Sequence, residues 1–255
     1  RKRFFQKMID NKVVLISGAA GKIGEALSKE VLENNGKVVL VDINSEKLFD
    51  LIKTLPSSKV LGNCCDVSKK EDFSKVIELA FKKFGKIDIL VCNAASNPFY
   101  GSMSELPDEA FQKILQNNVI SNHWLANLVL PDMAKRKNGT IIIVSSIGGL
   151  KGTDKLGAYA ISKAADMQLA RNLSIEWGSK NITVNCIAPG LIKTDFAKAL
   201  WENEKIRKHY EELTPLKRLG DPDDIGGIAV FLASKAGAFV TGQTIVADGG
   251  VTIAG

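Results

Sequence analysis

The 255-residue sequence predicts an α/β fold: one doubly wound parallel sheet with helices on both faces. Three observations carry this. Short β-rich runs alternate with longer segments of helical period, the pattern of βαβ units. The runs are almost continuously apolar, as strands covered on both faces must be. A glycine-rich turn, SGAAGKIG (17–24), follows the first run directly. A chain of this length can form a single domain, here spanning 1–255, with one insertion at 194–218 that breaks the rhythm.

The elements follow in order. KVVLIS (12–17) is the first strand, and the turn behind it sets Gly18, Gly21 and Gly24 at every third position before the amphipathic helix EALSKEVLEN. Such a backbone turns tightly, approaches a pyrophosphate closely and presents unpaired helix N–H groups to it. Glycines needed for turn geometry alone are the plainer alternative. KVVLVD (37–42) ends in Asp42, eighteen positions after Gly24, where a carboxylate accepts bonds from an adenosine ribose and repels a 2′-phosphate. NAD is therefore expected over NADP, against the simpler reading of Asp42 as a cap for a helix near Ser45. Lys22 keeps NADP open, since its ammonium either compensates a phosphate charge or lies in solvent. A weaker strand lies near 59–64, followed by IDILVC (87–92), TIIIVSS (140–146), ITVNCIA (182–188) and QTIVA (243–247), and a further helix starts near Pro222.

Composition narrows the function. Hydrophobic content of 45% with 24% charged residues is that of an ordinary globular protein. The net charge of +6 is scattered among acids, which argues against nucleic acid as a partner, and the apolar runs are strand-sized, which argues against a membrane span. The start, RKRFFQKMID, is basic but carries no apolar stretch of secretory type. Cys64, Cys65, Cys92 and Cys186, with His123 and His209, show no metal-ligand spacing, so no metal is expected and reduced thiols suit the cytoplasm.

The chemistry concentrates in GAYAISKAADMQLARNLSIEW (157–177), where Tyr159 and Lys163 stand four apart on one helix face. An ammonium beside a phenol favours the phenolate, whose ordinary pKa of about 10 must fall before it serves as a base near neutral pH. Thirteen residues upstream, Ser146 closes a strand at the sheet edge where ligands bind in open α/β folds. Taken singly, each has a plain reading: a half-buried aromatic, a solvated charge, a turn former.

Together with Asp66-Val67, CNAA (92–95), Asn118 in QNNV, NCIAPG (185–190) and Asp248-Gly249-Gly250, these residues resemble the short-chain dehydrogenase/reductase family from about residue 11 onward. The resemblance implies a Rossmann-type oxidoreductase. Tyr159 would transfer the proton and Lys163 would lower its pKa and hold the nicotinamide ribose. Ser146 would orient the substrate, and Asn118 would hold a water linking Lys163 to solvent. Gly18, Gly21, Lys22, Ile23 and Gly24 would cradle the phosphates, Asp66 and Val67 would contact adenine, and Asn93 and Ala94 would border the adenosine. Ile192 and Thr194 would fix the carboxamide, with Pro189 and Gly190 in the same cofactor set. The loop departs from the family's usual T-G-x-x-x-G-x-G: Ser17 replaces Thr, and Lys22 stands where the second glycine is expected.

VCNAASNPFYGS and NCIAPGLIKTDFAKALW look most like the carbonyl/retinal reductase branch, which is typically NADP-dependent and peroxisomal; the chain instead has Asp42 and ends VTIAG, so cytoplasm is expected. The insertion 194–218 is expected to form a lid bringing Phe196, Leu200 and Trp201 near the substrate, with Asn97, Phe99 and Tyr100 from the loop after the fourth strand. Packing of these side chains on the body, or at a subunit contact, is the alternative use. The expected reaction interconverts a secondary alcohol and a ketone, of carbonyl reductase or 3-oxoacyl reductase type. The alternatives are a nucleotide-sensing or scaffolding protein without chemistry and a sugar-nucleotide epimerase or dehydratase, the latter disfavoured by length. The resemblance also suggests a homotetramer pairing the helices around 107–135 and 153–178, where Leu125, Leu128, Met167 and Leu169 face either a partner or the core.

Overall fold

A computed structural model describes residues 8–254; the basic stretch 1–7 lies outside the described residues. Seven strands form one sheet: β1 (Val13–Ser17), β2 (Lys37–Asp42), β3 (Val60–Cys64), β4 (Ile89–Cys92), β5 (Gly139–Val144), β6 (Ile182–Pro189) and β7 (Thr244–Ala247). Their spatial order is β3-β2-β1-β4-β5-β6-β7, and every neighbouring pair is parallel. Leu15 of β1 faces Val39 on one side and Leu90 on the other, so the chain order reverses between β1 and β4. Because all strands run the same way, their C-terminal ends Ser17, Asp42, Cys92, Val144 and Pro189 gather along a single edge, where such folds bind ligands.

Nine α-helices complete the described residues: α1 (Lys22–Glu33), α2 (Ser45–Lys53), α3 (Lys70–Phe84), α4 (Asp108–Leu115), α5 (Ser121–Arg136), α6 (Gly157–Trp177), α7 (Lys198–Trp201), α8 (Glu204–Leu213) and α9 (Asp223–Ala233). Alternation along the strands divides the core into two layers. Val14 and Ile16 point to one face and pack with Leu27 and Val31 of α1, Leu48 of α2 and Ile225 of α9. Val13 and Leu15 point to the other and pack with Phe73 of α3, Leu125 and Leu130 of α5 and Met167 of α6. That placement puts Leu125 and Met167 in the core, which removes them from the residues available to a partner.

Two features depart from the sequence pattern. The helical path over 107–135 is interrupted by a π turn, Gln116–Ile120, which carries Asn118. Such turns widen the backbone locally and recur at functional sites. Asp42 does not cap α2; Asn44 does, its side chain accepting from the Lys47 amide at 3.0 Å. Cys64 is exposed and Cys65 buried, as alternation along an extended chain requires. Among the described residues no helix is long and apolar enough to cross a membrane.

Candidate active site

The glycine turn leaves β1 through Gly18, whose φ of +64° is strained for any residue with a side chain. A Cβ there would lie 2.8 Å from the Ala94 Cα, so Gly18 also lets the loop after β4 approach. That approach is fastened by Ser17, whose Oγ accepts from the amides of Asn93 and Ala94 at 3.1 and 3.2 Å, and by Asn93 Nδ2, which donates to the Gly18 carbonyl at 2.9 Å. Gly24 serves packing: a Cβ on it would fall 2.3 Å from the Gly18 carbonyl oxygen, and it lies behind the cleft rather than on it. Gly21 differs. Its nearest neighbour to a Cβ is that same oxygen at 3.5 Å, an ordinary contact, so the protein itself does not demand a glycine there. Gly21 is also the N-cap of α1 and offers no side-chain cap, which leaves the first amides of the helix open toward the cleft. A bare backbone, open amides and a positive helix end together fit a phosphate.

The cleft is a cavity of about 1080 Å³ along the C-terminal edge of the sheet. Gly18, Gly21, Lys22 and Ile23 line one end, next to Asp42, Asp66 and Val67, with Asn93 and Ala94 beside them. Asp42 is held by the loop it faces, accepting from the Ala20 amide at 3.0 Å and the Asn44 amide at 2.8 Å. Asp66 accepts from the Ser68 hydroxyl at 2.7 Å and amide at 3.0 Å; the hydroxyl above all holds its carboxyl below the usual range. Lys22 is half-exposed and pairs loosely with Glu25 at 3.5 Å.

Ser146, Tyr159 and Lys163 line the cleft further along, with Pro189, Gly190, Ile192 and Thr194 opposite. Ser146 Oγ accepts from the Gly148 amide at 3.0 Å, which occupies a lone pair and leaves its hydrogen for a ligand. Lys163 Nζ lies 5.7 Å from the Tyr159 ring centroid. The lysine is fully buried and donates to the Val144 carbonyl at 2.8 Å and to Asp166 at 3.2 Å. Burial alone disfavours its ammonium, but the Asp166 carboxylate and then the Tyr159 phenol outweigh that and hold Lys163 above the usual lysine value.

Asn118 sits where the loop after β4 meets α6. It is buried behind the cleft wall, its Oδ1 accepting from the Ser96 amide at 2.8 Å and its Nδ2 donating to Ser162 Oγ at 3.0 Å and the Ser96 carbonyl at 3.1 Å. Its side chain thus locks the loop after β4 to α6. Its backbone carbonyl already accepts from Asn122 Nδ2 at 2.6 Å.

The lid forms as expected, as a short turn Asp195–Ala197 followed by α7 and α8. Phe196 and Leu200 line the cleft, and the Phe196 ring sits 5.7 Å from that of Tyr159. Four residues expected near the substrate fall elsewhere. Trp201 turns its indole N–H to the Thr194 carbonyl at 2.8 Å, so it packs the lid on the body. Asn97 and Phe99 border a small separate cavity with Met103 and Leu106, because the loop after β4 bends away from the cleft beyond Ser96. Tyr100 is exposed beneath Lys155. The sequence reading also missed Asp166 and Asn122; a lone acid three places after a lysine on a helix reads as a surface pair.

Comparison with known proteins shows the family. A family model described as enoyl-(acyl carrier protein) reductase matches residues 18–252. Dehydrogenase/reductase SDR family member 4 of Sus scrofa is 37% identical over 247 residues, covering 96% of this chain and 88% of that protein. The chain belongs to the short-chain dehydrogenase/reductase family. Its Homo sapiens relative of the same description is 37% identical over 242 residues, 94% of this chain and 87% of that one. A solved structure of 7α-hydroxysteroid dehydrogenase with NADH and 7-oxo glycochenodeoxycholic acid is 33% identical with a TM-score of 0.91, covering 96% of both chains. As a member of this family the protein is an NAD(P)-dependent oxidoreductase acting on CH–OH groups.

Proposed function

We propose that the protein interconverts a secondary alcohol and an apolar ketone with NAD(H), as a carbonyl reductase or 3-oxoacyl reductase. The supporting observation is the convergence of Ser146, Tyr159 and Lys163 on one cleft whose far end is an open helix N-terminus. Gly18, Gly21, Lys22 and Ile23 would hold the pyrophosphate, and Asp42 the adenosine ribose. Pro189, Gly190, Ile192 and Thr194 would hold the nicotinamide end. Bound, the dinucleotide supplies or accepts the hydride.

The protein's own groups handle the proton. Ser146 donates its hydroxyl hydrogen to the substrate oxygen, and Tyr159 Oη gives that oxygen a proton in reduction or takes one in oxidation. Lys163 stands behind Tyr159 as a fixed positive charge, with one N–H left for the cofactor ribose. Asn118 acts at a distance, by fixing Ser96 and Ser162. Phe196 and Leu200 give the pocket an apolar wall and exclude water from the reacting oxygen.

Asp42 favours NAD(H) because its carboxylate borders the cleft already anchored by two amides and would repel a 2′-phosphate. We also place the protein in the cytoplasm as a homotetramer; light scattering that gives a monomer would refute the assembly. Titration of nicotinamide fluorescence with NADH and NADPH tests the cofactor, with tighter NADH expected. Tighter NADPH would mean that Lys22 outweighs Asp42.

A further inference from the structure

Behind Lys163 lies a buried polar pair, Asp166 and Asn122, that the proposed mechanism does not use. Lys163 and Asp166 stand three apart on α6, and neither is exposed. Asp166 Oδ2 accepts from Lys163 Nζ at 3.2 Å, and Asp166 Oδ1 accepts from Asn122 Nδ2 at 2.9 Å. The same Asn122 nitrogen donates to the Asn118 carbonyl at 2.6 Å, while Asn122 Oδ1 finds no partner. The amide is therefore oriented entirely by the carboxylate and the carbonyl in front of it.

An ammonium has three N–H groups. In Lys163, Val144 and Asp166 take two, and one remains for the cleft. A neutral amine has only two N–H groups, which Val144 and Asp166 would take, leaving none for the cleft. We infer that Asp166, braced by Asn122, is a positioning residue of the reaction, holding Lys163 as a charged ammonium with a single N–H aimed at the cleft. The inference rests on the reading of Tyr159 and Lys163 as the reacting pair.

The other groups around the cluster do not compete for this role. Tyr159 faces Lys163 from its own helix. Cys186 of β6 donates its thiol to the Asp166 backbone carbonyl at 3.5 Å, and burial pushes that thiol up to about 12. Burial likewise raises the thiol of Cys92 on β4, with Asp166 adding to the effect. Both sulfurs are neutral over the working range. Arg171, an exposed residue further along α6, acts on Cys186. Burial raises the Asp166 carboxyl too, against the pull of Lys163, so the pair holds its protons as one unit.

The test is an NMR titration of ¹³Cε-labelled lysine in the cofactor-free protein, with the Lys163 signal assigned by its loss in Lys163→Met. In wild type Lys163 titrates above the ordinary lysine value. In Asp166→Asn the midpoint falls by about 1–3 pH units, the shift that an opposite charge at this range provides. Asp166→Glu, which keeps the charge, stays near wild type. The alkaline limb of alcohol oxidation moves down with the same variant. An unchanged midpoint in Asp166→Asn, or an equal fall in Asp166→Glu, overturns the inference. If Asp166→Asn does not fold, Asn122→Ala replaces it: release of the brace lowers the midpoint, and a wild-type midpoint overturns the role. Failure of wild type to oxidise any alcohol would refute the proposed function but leave this titration readable.

Discussion

Two glycines of one loop are expected to fail in opposite ways when each gains a methyl group. In Gly24→Ala the new Cβ meets the Gly18 carbonyl oxygen at 2.3 Å and the Ala19 Cα at 2.6 Å, both backbone atoms that cannot swing aside. Overpacking of this kind typically costs about 1–3 kcal/mol. The helix interior returns up to about 1 kcal/mol for replacing glycine by alanine. Clashes with fixed backbone put the cost at the upper end of that range, and the net loss of about 2 kcal/mol lowers the thermal midpoint by about 4–8 °C in a chain of this size. In Gly21→Ala the Cβ meets only the Gly18 oxygen, at 3.5 Å, and φ of −75° suits any residue. Its effect on stability stays within about 1 kcal/mol, the N-cap preference for glycine over alanine. The methyl instead occupies the space assigned to the pyrophosphate, where a misfit of the same 1–3 kcal/mol weakens NADH binding by about 5- to 150-fold. Thermal unfolding without cofactor and fluorescence titration with NADH read the two effects separately. Wild-type NADH affinity in Gly21→Ala would refute the cradle, and a wild-type melting midpoint in Gly24→Ala would refute the packing role.

Other outcomes follow from the same geometry. Asp42→Ala should narrow or reverse the preference for NADH over NADPH, as read by paired titrations; an unchanged ratio would remove Asp42 from cofactor selection. A maleimide should label the folded chain once, at exposed Cys64, because Cys65, Cys92 and Cys186 are buried, with burial pushing Cys65 and Cys186 to about 12; mass spectrometry showing early modification of Cys65 would contradict this. The Arg218 guanidinium, in bidentate contact with Asp224 at 2.6 and 2.8 Å, holds that carboxyl below the usual range. Its stabilisation is therefore present above the unfolded value of about 3.9 and is lost as pH falls through the lower folded value. Both groups reach solvent, which screens the pair and keeps its contribution small. The difference in melting midpoint between wild type and Asp224→Asn should shrink below about pH 4, and a constant difference would argue against an ionic origin.

Much of the fold was legible because parallel strands covered on both faces must be continuously apolar, and β1, β2, β4, β5 and β6 are so. β3 was faint for a physical reason: it is an edge strand in which only Val60 is buried, so Gly62, Asn63 and Cys64 meet no demand for apolarity. The cofactor loop and the pair Tyr159 and Lys163 were legible from spacing along single elements. What escaped depends on contacts between elements. Asp166 joins the site only because α6 turns that face onto Asn122 of α5 and onto β5, and no helical period announces which face is buried. The π turn at Asn118 has no glycine or proline to mark it. Trp201 and Phe99 were read toward the substrate because large aromatics suit a pocket wall, yet a hydrogen bond to Thr194 and a bend after Ser96 sent them elsewhere.

The central claim is that Tyr159 moves the proton in a nicotinamide-dependent oxidation at this cleft. The most direct measurement is the rate of nicotinamide reduction by wild type and Tyr159→Phe with NAD and a panel of secondary alcohols, after NADH titration shows that the variant still binds cofactor. Wild type should turn over and the variant should lose about 10²–10⁴-fold, the usual contribution of a general acid/base. Equal rates in the two proteins would contradict it.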